Sequence, residues 1–391
     1  MLEKKKKLTL SILLGNLFMV SLGMGLVIPV LPTLMNELDI SGSTVGYLVA
    51  AYAIAQFITS PFSGKWVDQY GRKPTIILGL LIFAVSELLF GFGQNVYVLF
   101  ISRILGGFSN AFIVPAVTAF IADITSTNVR PKAMGYMSAA INTGYLIGPG
   151  IGGFLAEINM RLPFFVAALF GAFSVVFSFL LLKEPSKFGG ENEQKEMEIK
   201  GEKHFGQIFQ PMYIVAFLII FISSFGLASF ESLLSLYVDH KFNFSPKDIA
   251  GVVSVSSIIG MIGQVFLFER LTNKIGEIAL IRYSLVLSAI FIFLMTVVNS
   301  YVTILLTSLM LFVGFDFIRP SVTTYLSKIA SNQQGFVGGM NSMFTSIGNI
   351  LGPIVGGTLF DININFPYYF ATIVIICGIV LAMFWKKPSS L

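Results

Sequence analysis

Long apolar stretches separated by short polar turns run from one end of this chain to the other. Twelve of them approach or exceed the ~20 residues that a helix needs to cross the hydrocarbon core of a bilayer. They cover 8–30, 44–65, 75–93, 97–122, 132–156, 162–182, 212–236, 248–268, 277–298, 301–327, 336–360 and 366–385. The apolar and polar positions do not alternate as in a strand, and a backbone in lipid must satisfy its own hydrogen bonds, so each stretch is read as a helix. The extended polar segment Lys183 to Gln210 mixes charges and carries few apolar residues, which marks a linker. The expected fold is an all-α membrane protein of twelve transmembrane helices in two pseudo-symmetric six-helix bundles. The expected boundaries are 1–182, 183–210 for the cytoplasmic linker, and 211–391.

The two halves echo each other in sequence. Gly144, Gly148, Pro149, Gly152 and Gly153 return 204 residues later as Gly348, Gly352, Pro353, Gly356 and Gly357. The echo extends to Gly135 and Gly339, Ser138 and Ser342, Glu157 and Asp361, Pro163 and Pro367, and Tyr97 and Tyr301. Two similar apolar halves imply a secondary transporter whose substrate site lies between repeats near mid-membrane. At helical spacing the glycines form a small-residue face on which another backbone can approach closely, and each proline bends its helix. Tight packing alone accounts for such a face. The functional alternative is a seam on which the halves pivot.

Composition agrees with the pattern. The chain is 55% hydrophobic and 12% charged, with a mean hydropathy of +0.83, against about 25% charged residues in soluble domains. The net charge of +5 gives no reason to expect nucleic acid as a partner. Its 25 basic residues are unevenly placed: 20 fall on the side of the termini and linker, 3 on the opposite side, and Arg103 and Arg319 inside spans. Positive charge marks the cytoplasmic side, so both termini and the linker of a multi-pass membrane protein are expected there. The basic N-terminus leads into a retained first helix with no small-residue cleavage site. The single cysteine, Cys377, excludes an internal disulfide, and neither His204 nor His240 lies inside a span. No phosphate-binding loop appears, and no acid, His or Cys cluster suggests a metal or sodium site. No cofactor and no enzyme activity are expected. Energy would come from an ion gradient or from the substrate's own gradient, with protons the better fit.

Several motifs together resemble the major facilitator superfamily, in its drug:proton antiporter branch of Bmr/NorA type. They are Gly64-Lys65-Trp66-Val67-Asp68-Gln69-Tyr70-Gly71-Arg72-Lys73 after the second span, with Gln69 where a basic residue is usual; Arg103 followed by Gly106-Gly107; the Gly-Pro motif of the fifth span; and Gly23-Met24-Gly25 with Pro29-Val30-Leu31-Pro32 in the first. The resemblance implies the major facilitator fold, a functional monomer, and proton-driven export of amphipathic, often cationic, aromatic drugs. It implies that Gly64, Asp68, Gly71 and Arg72 form a latch on the cytoplasmic side and that Arg103 takes part in proton coupling. Positive-inside topology alone would account for part of the loop charge. Asp68 is expected at the N-terminal dipole of a neighbouring helix, and the second half carries only a faded copy, Asn273-Lys274-Ile275-Gly276-Glu277.

Ionisable residues inside spans are costly and by default mark pathways, relays or paired charges. Here they are Glu87, Arg103, Glu231, Asp316 and Arg319. A carboxylate in such a place can exchange protons near neutral pH and can also pair with a cationic substrate. Glu231 and Asp316 are the candidates for that exchange, tuned by Arg319 and Arg103. Asp316 and Arg319 are three residues apart and could form a static ion pair; Glu231 could be interfacial. Arg103 needs a carboxylate or water, and Glu87 is one possible partner. Phe18, Tyr52, Tyr145, Phe225, Phe230 and Phe315 are candidate aromatic walls of a drug pocket, with Gln56, Asn142 and Asn341 as hydrogen-bonding groups. A competing reading is a proton-coupled symporter or exporter of a specific metabolite or sugar.

Overall fold

The computed structural model describes residues 2–126, 129–185, 211–329 and 334–385, and the regular secondary structure among these is all helical. The helices are α1 (Leu2–Val27), α2 (Leu31–Leu38), α3 (Gly42–Tyr70), α4 (Arg72–Phe92), α5 (Val96–Ile124), α6 (Arg130–Ile158) and α7 (Leu162–Leu181). They continue as α8 (Pro211–Phe242), α9 (Pro246–Ile275), α10 (Glu277–Met295), α11 (Tyr301–Ile329), α12 (Gln334–Ile362) and α13 (Phe366–Phe384). A tight turn at Ile28–Val30, carrying Pro29, joins α1 to α2 within one span.

Eleven spans among the described residues are long and apolar enough to cross a membrane. Helix α6 is not among them: Ser138, Asn142, Thr143 and its glycines dilute its apolar content. Several helices outrun their apolar windows. Helix α3 has 29 residues, about 43 Å at 1.5 Å each, and continues through Lys65 and Asp68 beyond the ~30 Å hydrocarbon layer. Prolines 61, 115, 149, 320 and 353 lie inside helices and locally break their hydrogen-bond ladders.

The chain forms two compact units. One gathers Met1–Ile40, Leu48–Gly189 and Val238–Ser254; the other gathers Ser41–Tyr47, Gly190–Tyr237 and Val255–Leu391. Two stretches thus group away from their own half of the sequence: the start of α3 counts with the second unit, and the end of α8 with the start of α9 counts with the first. Most of the linker expected at 183–210 lies outside the described residues.

In the first unit, α1 packs on α6 and α7, and α4 packs on α5 and α7. Leu13, Leu17, Phe83, Val117 and Phe120 are buried in one shared cluster. The buried Asn16 donates to Ser178 Oγ at 2.8 Å, so this polar group is satisfied across α1 and α7. In the second unit, α10 packs on α11 and α13. There Tyr237 donates to the Met295 carbonyl at 3.0 Å and its ring meets Tyr368 at 4.5 Å. Large apolar side chains such as Phe173, Phe177, Phe179 and Leu180 on α7 stay exposed, as an outer face in contact with lipid requires.

The repeated glycine faces work inside the units. A side chain at Gly148 would fall 2.7 Å from Gly25 Cα and the Leu22 carbonyl, and one at Gly144 2.6 Å from the Phe18 carbonyl. Gly152 faces Leu26. These residues seat α6 on α1, where the sequence suggested a seam between halves. In the second unit Gly348, Gly352 and Gly356 seat α12 on Phe225 and Ser229 of α8 in the same way. The adjacent glycines point elsewhere: Gly153 meets Pro246 and Ala250 in the first unit, and Gly357 meets Gly42 and Ser43 in the second.

Candidate functional site

Two acidic side chains converge in the second unit. Glu231 is carried by α8 and Asp316 by α11, two helices that meet where Phe230, beside Glu231, packs on Phe312, one turn before Asp316. Glu231 is exposed. Asp316 is half-buried, with its Oδ2 against Gly260 of α9, where a side chain would collide with it. Behind them Phe230 packs edge-on to Phe312 and Tyr368, at 5.9 and 6.0 Å between ring centres. The i,i+3 pair of Asp316 and Arg319 is not closed: among the described residues the ion pairs are Arg72–Asp68, Arg72–Asp123, Arg161–Glu37, His240–Asp239 and Lys328–Glu277. Arg319 is exposed one turn further along α11. The arrangement is a pair of like charges with no ion pair on either among the described residues, and such a pair favours taking up a proton or a cation.

The candidate pocket residues divide by unit and by burial. Phe225, Phe230 and Phe315 are 4%, 1% and 4% exposed and belong to the core of the second unit. Asn341 donates to Thr323 Oγ1 at 3.4 Å, while its Oδ1 is buried without a donor among the described residues. In the first unit the hydroxyls of Tyr52 and Tyr145 both point at the Met24 sulfur, at 3.1 and 3.3 Å. Tyr145 and Asn142 lie exposed on α6; Gln56 is half-buried on α3, and Phe18 is half-buried on α1. Gly106 and Gly107 let α5 cross α3 closely at Tyr52 and Gln56. Arg103, one turn earlier on α5, lies with its guanidinium over the Phe90 ring, 4.2 Å from the ring centre.

The loop after α3 is a built clamp. Gly71 has φ 102°, a conformation that disfavours side chains, and a Cβ there would meet Glu184 Oε1 at 2.7 Å. Glu184 accepts from the backbone N–H groups of Arg72 and Lys73 at 2.6 and 2.7 Å. It therefore places a carboxylate on the positive N-terminal end of α4. Arg72 bonds Asp123 on α5 at 2.8 Å and reaches Asp68 on α3 at 3.5 Å. Asp68 is thus engaged with Arg72, and the carboxylate seen on a helix start is Glu184, which sequence reasoning missed. At Gly64 a Cβ would have no neighbour within 4 Å, so the surroundings leave room for a side chain.

The second unit repeats this geometry with the charges reversed. Gly276 has φ 81°, and Glu277 on α10 pairs with Lys328 on α11. Gly71, Arg72 and Asp123 correspond to Gly276, Glu277 and Lys328 at a constant offset of 205. The copy that looked faded in sequence keeps the turn and the ion pair and swaps their signs.

Two similar halves of membrane-spanning helices, with acidic groups inside the spans and a repeated clamp at their ends, define the architecture of a secondary membrane transporter. The family model described as Major Facilitator Superfamily matches residues 13–330 and 216–390, and the chain belongs to that family. It is 61% identical over 389 residues to "Multidrug resistance protein 1" of Bacillus subtilis (strain 168), covering 99% of each chain. It is 42% identical over 377 residues to "Quinolone resistance protein NorA" of Staphylococcus aureus, covering 96% of each. In fold it matches the crystal structure of a bacterial homologue of the human lysosomal transporter Spinster, with a TM-score of 0.81 at 14% identity, over 96% of each chain.

Proposed function

We propose that this protein is a proton-coupled antiporter that exports amphipathic, often cationic, aromatic drugs across a bacterial plasma membrane. The observation that carries the reading is the placement of Glu231 and Asp316 on the packed helices α8 and α11 of one unit, with no ion pair on either among the described residues. A carboxylate in that setting binds a proton or a cation, one at a time. Proton entry discharges the cationic drug, and drug binding discharges the proton. Alternating access around a central site turns that competition into exchange, so an inward proton gradient drives outward drug movement. Arg319 and Arg103 set the local field. The protein acts as a monomer with both termini in the cytoplasm, uses no cofactor and performs no covalent chemistry. The names of its multidrug and quinolone resistance relatives support the substrate class.

The test is ethidium transport in proteoliposomes under an imposed pH gradient, for wild type, Glu231→Gln and Asp316→Asn. Gradient-driven transport by the wild type should fall at least about tenfold in each variant while the variants stay folded. Wild-type rates in both variants would remove these carboxylates from the mechanism. No ethidium movement under any gradient would favour transport of a specific metabolite.

A further inference from the structure

Glu87, inside the first unit, takes no part in the carboxylate pair or in the clamps. It lies on α4 and is 3% exposed, and its Oε2 is buried with no hydrogen-bond donor among the described residues. Arg103 Nη2, on the neighbouring α5, is likewise buried and unpartnered among them. The two side chains do not form an ion pair; instead the guanidinium rests on Phe90, 4.2 Å from the ring centre. Phe90 stands three residues after Glu87, so both lie on one face of α4.

The backbones beneath them are fixed. Ser86 Oγ donates to the Ser102 carbonyl at 2.9 Å, and Ser102 Oγ donates to the Ser86 carbonyl at 2.8 Å. Glu87 and Arg103 are the residues that follow these serines, so the serine bonds hold the two positions side by side on α4 and α5. Other titratable groups around α4 are few. Helix α7 carries none, but Arg161 just before it donates to the Gly91 carbonyl of α4 at 3.0 Å and pairs with Glu37; α1 carries none beyond Lys7. Helix α3 brings Tyr52, whose ring lies by Gly106 and whose hydroxyl is turned to Met24. On α5, Asp123 is already held by Arg72.

We propose that Glu87 is a further proton-binding carboxylate of the transport cycle, carried by the first unit, with Arg103 as its movable counter-ion. This rests on the antiport reading above for its role in transport. With a proton on Glu87 the acid is neutral, and Arg103 lies on the Phe90 ring as a cation–π partner. When the proton leaves to water, the carboxylate draws the guanidinium off the ring, because a buried charge needs a paired one. Only the O–H bond breaks; the proton goes to water and no other bond changes.

The test pairs infrared difference spectra of purified protein, recorded as pH is raised, with ethidium transport in proteoliposomes across the same pH range. For wild type, a protonated-carboxyl band should disappear as pH rises. Glu87→Gln should lack that band and should keep transport with a flattened pH profile. A spectrum and a pH profile both identical to wild type would overturn the proposal. If Glu87→Gln does not fold, Phe90→Leu removes the ring and leaves the carboxylate. The midpoint of the band should then move by about half a pH unit or more, and an unmoved midpoint would overturn the proposal. The infrared readout needs no transport, so it decides the fate of Glu87 even if wild-type protein fails to move ethidium and the antiport reading falls.

Discussion

Asp316 has no room to move toward α9, because Gly260 presents backbone where any side chain would strike Oδ2. The next residue met by a Gly260 side chain would be Phe312, its Cβ at 3.6 Å, an ordinary contact. Gly260→Ala should therefore displace one carboxylate and little else. Alanine also favours the helix over glycine by up to ~1 kcal/mol, so folding has no reason to suffer. Gradient-driven ethidium transport should fall about tenfold or more, equivalent to about 1.4 kcal/mol, with the melting temperature held or raised. Transport at the wild-type rate in Gly260→Ala would show that the position of this carboxylate is not critical. Asp316 itself is legible in the sequence, since an acid in an apolar span stands out. Gly260 is not, because nothing in a glycine on α9 reveals which residue of α11 it faces.

At the scale of a helix, the glycines of α6 and α12 divide into those that touch a neighbour and those that do not. Positions Gly148 and Gly352 would each place a Cβ 2.7 Å from backbone atoms of a packed helix. Positions Gly135 and Gly339 would meet nothing within 4 Å. Gly148→Ala and Gly352→Ala must push helices apart, and overpacking of this kind costs about 1–3 kcal/mol. Gly135→Ala and Gly339→Ala should be neutral or stabilising by up to ~1 kcal/mol. Thermal melting in detergent distinguishes the two pairs, and equal shifts in all four variants would refute the packing role. The repeat exposed both pairs equally in the sequence, because a repeated spacing does not say which glycines lie at a contact. Helix ends were hidden for a related reason. Apolar windows stop at charges such as Lys65, while α3 runs on to Tyr70 because its backbone ladder is indifferent to side-chain polarity outside lipid.

Across the molecule, the two clamps share a turn and differ in charge, and that difference decides what each can tolerate. In the first unit Arg72 sits on the same turn as the Glu184 carboxylate, which holds two backbone N–H groups of α4. A positive residue at this position therefore offsets three acids at once: Asp68, Asp123 and the cap. In the second unit Lys328 is 55% exposed where it pairs with Glu277, and exposed pairs contribute about 0–1 kcal/mol. Lys328→Ala should lower the melting temperature only slightly. Arg72→Ala, whose side chain is 19% exposed and joins three helices, should lower it several-fold more. Sequence comparison of the two halves overlooked this kinship because it seeks like residues, and an inverted pair shares only its geometry. Glu184 was overlooked because it begins a polar linker and returns to the start of α4 only through the fold. The inversion also argues against exchange. Reversing the pair, by Arg72→Glu with Asp123→Lys, rebuilds the order seen in the second unit but sets a second carboxylate against Glu184. The double variant should thus remain as destabilised as Arg72→Glu alone, and adding Glu184→Gln should recover part of the loss. Melting curves for the three variants test the point: full recovery in the double variant would mean that the cap and the ion pair act independently.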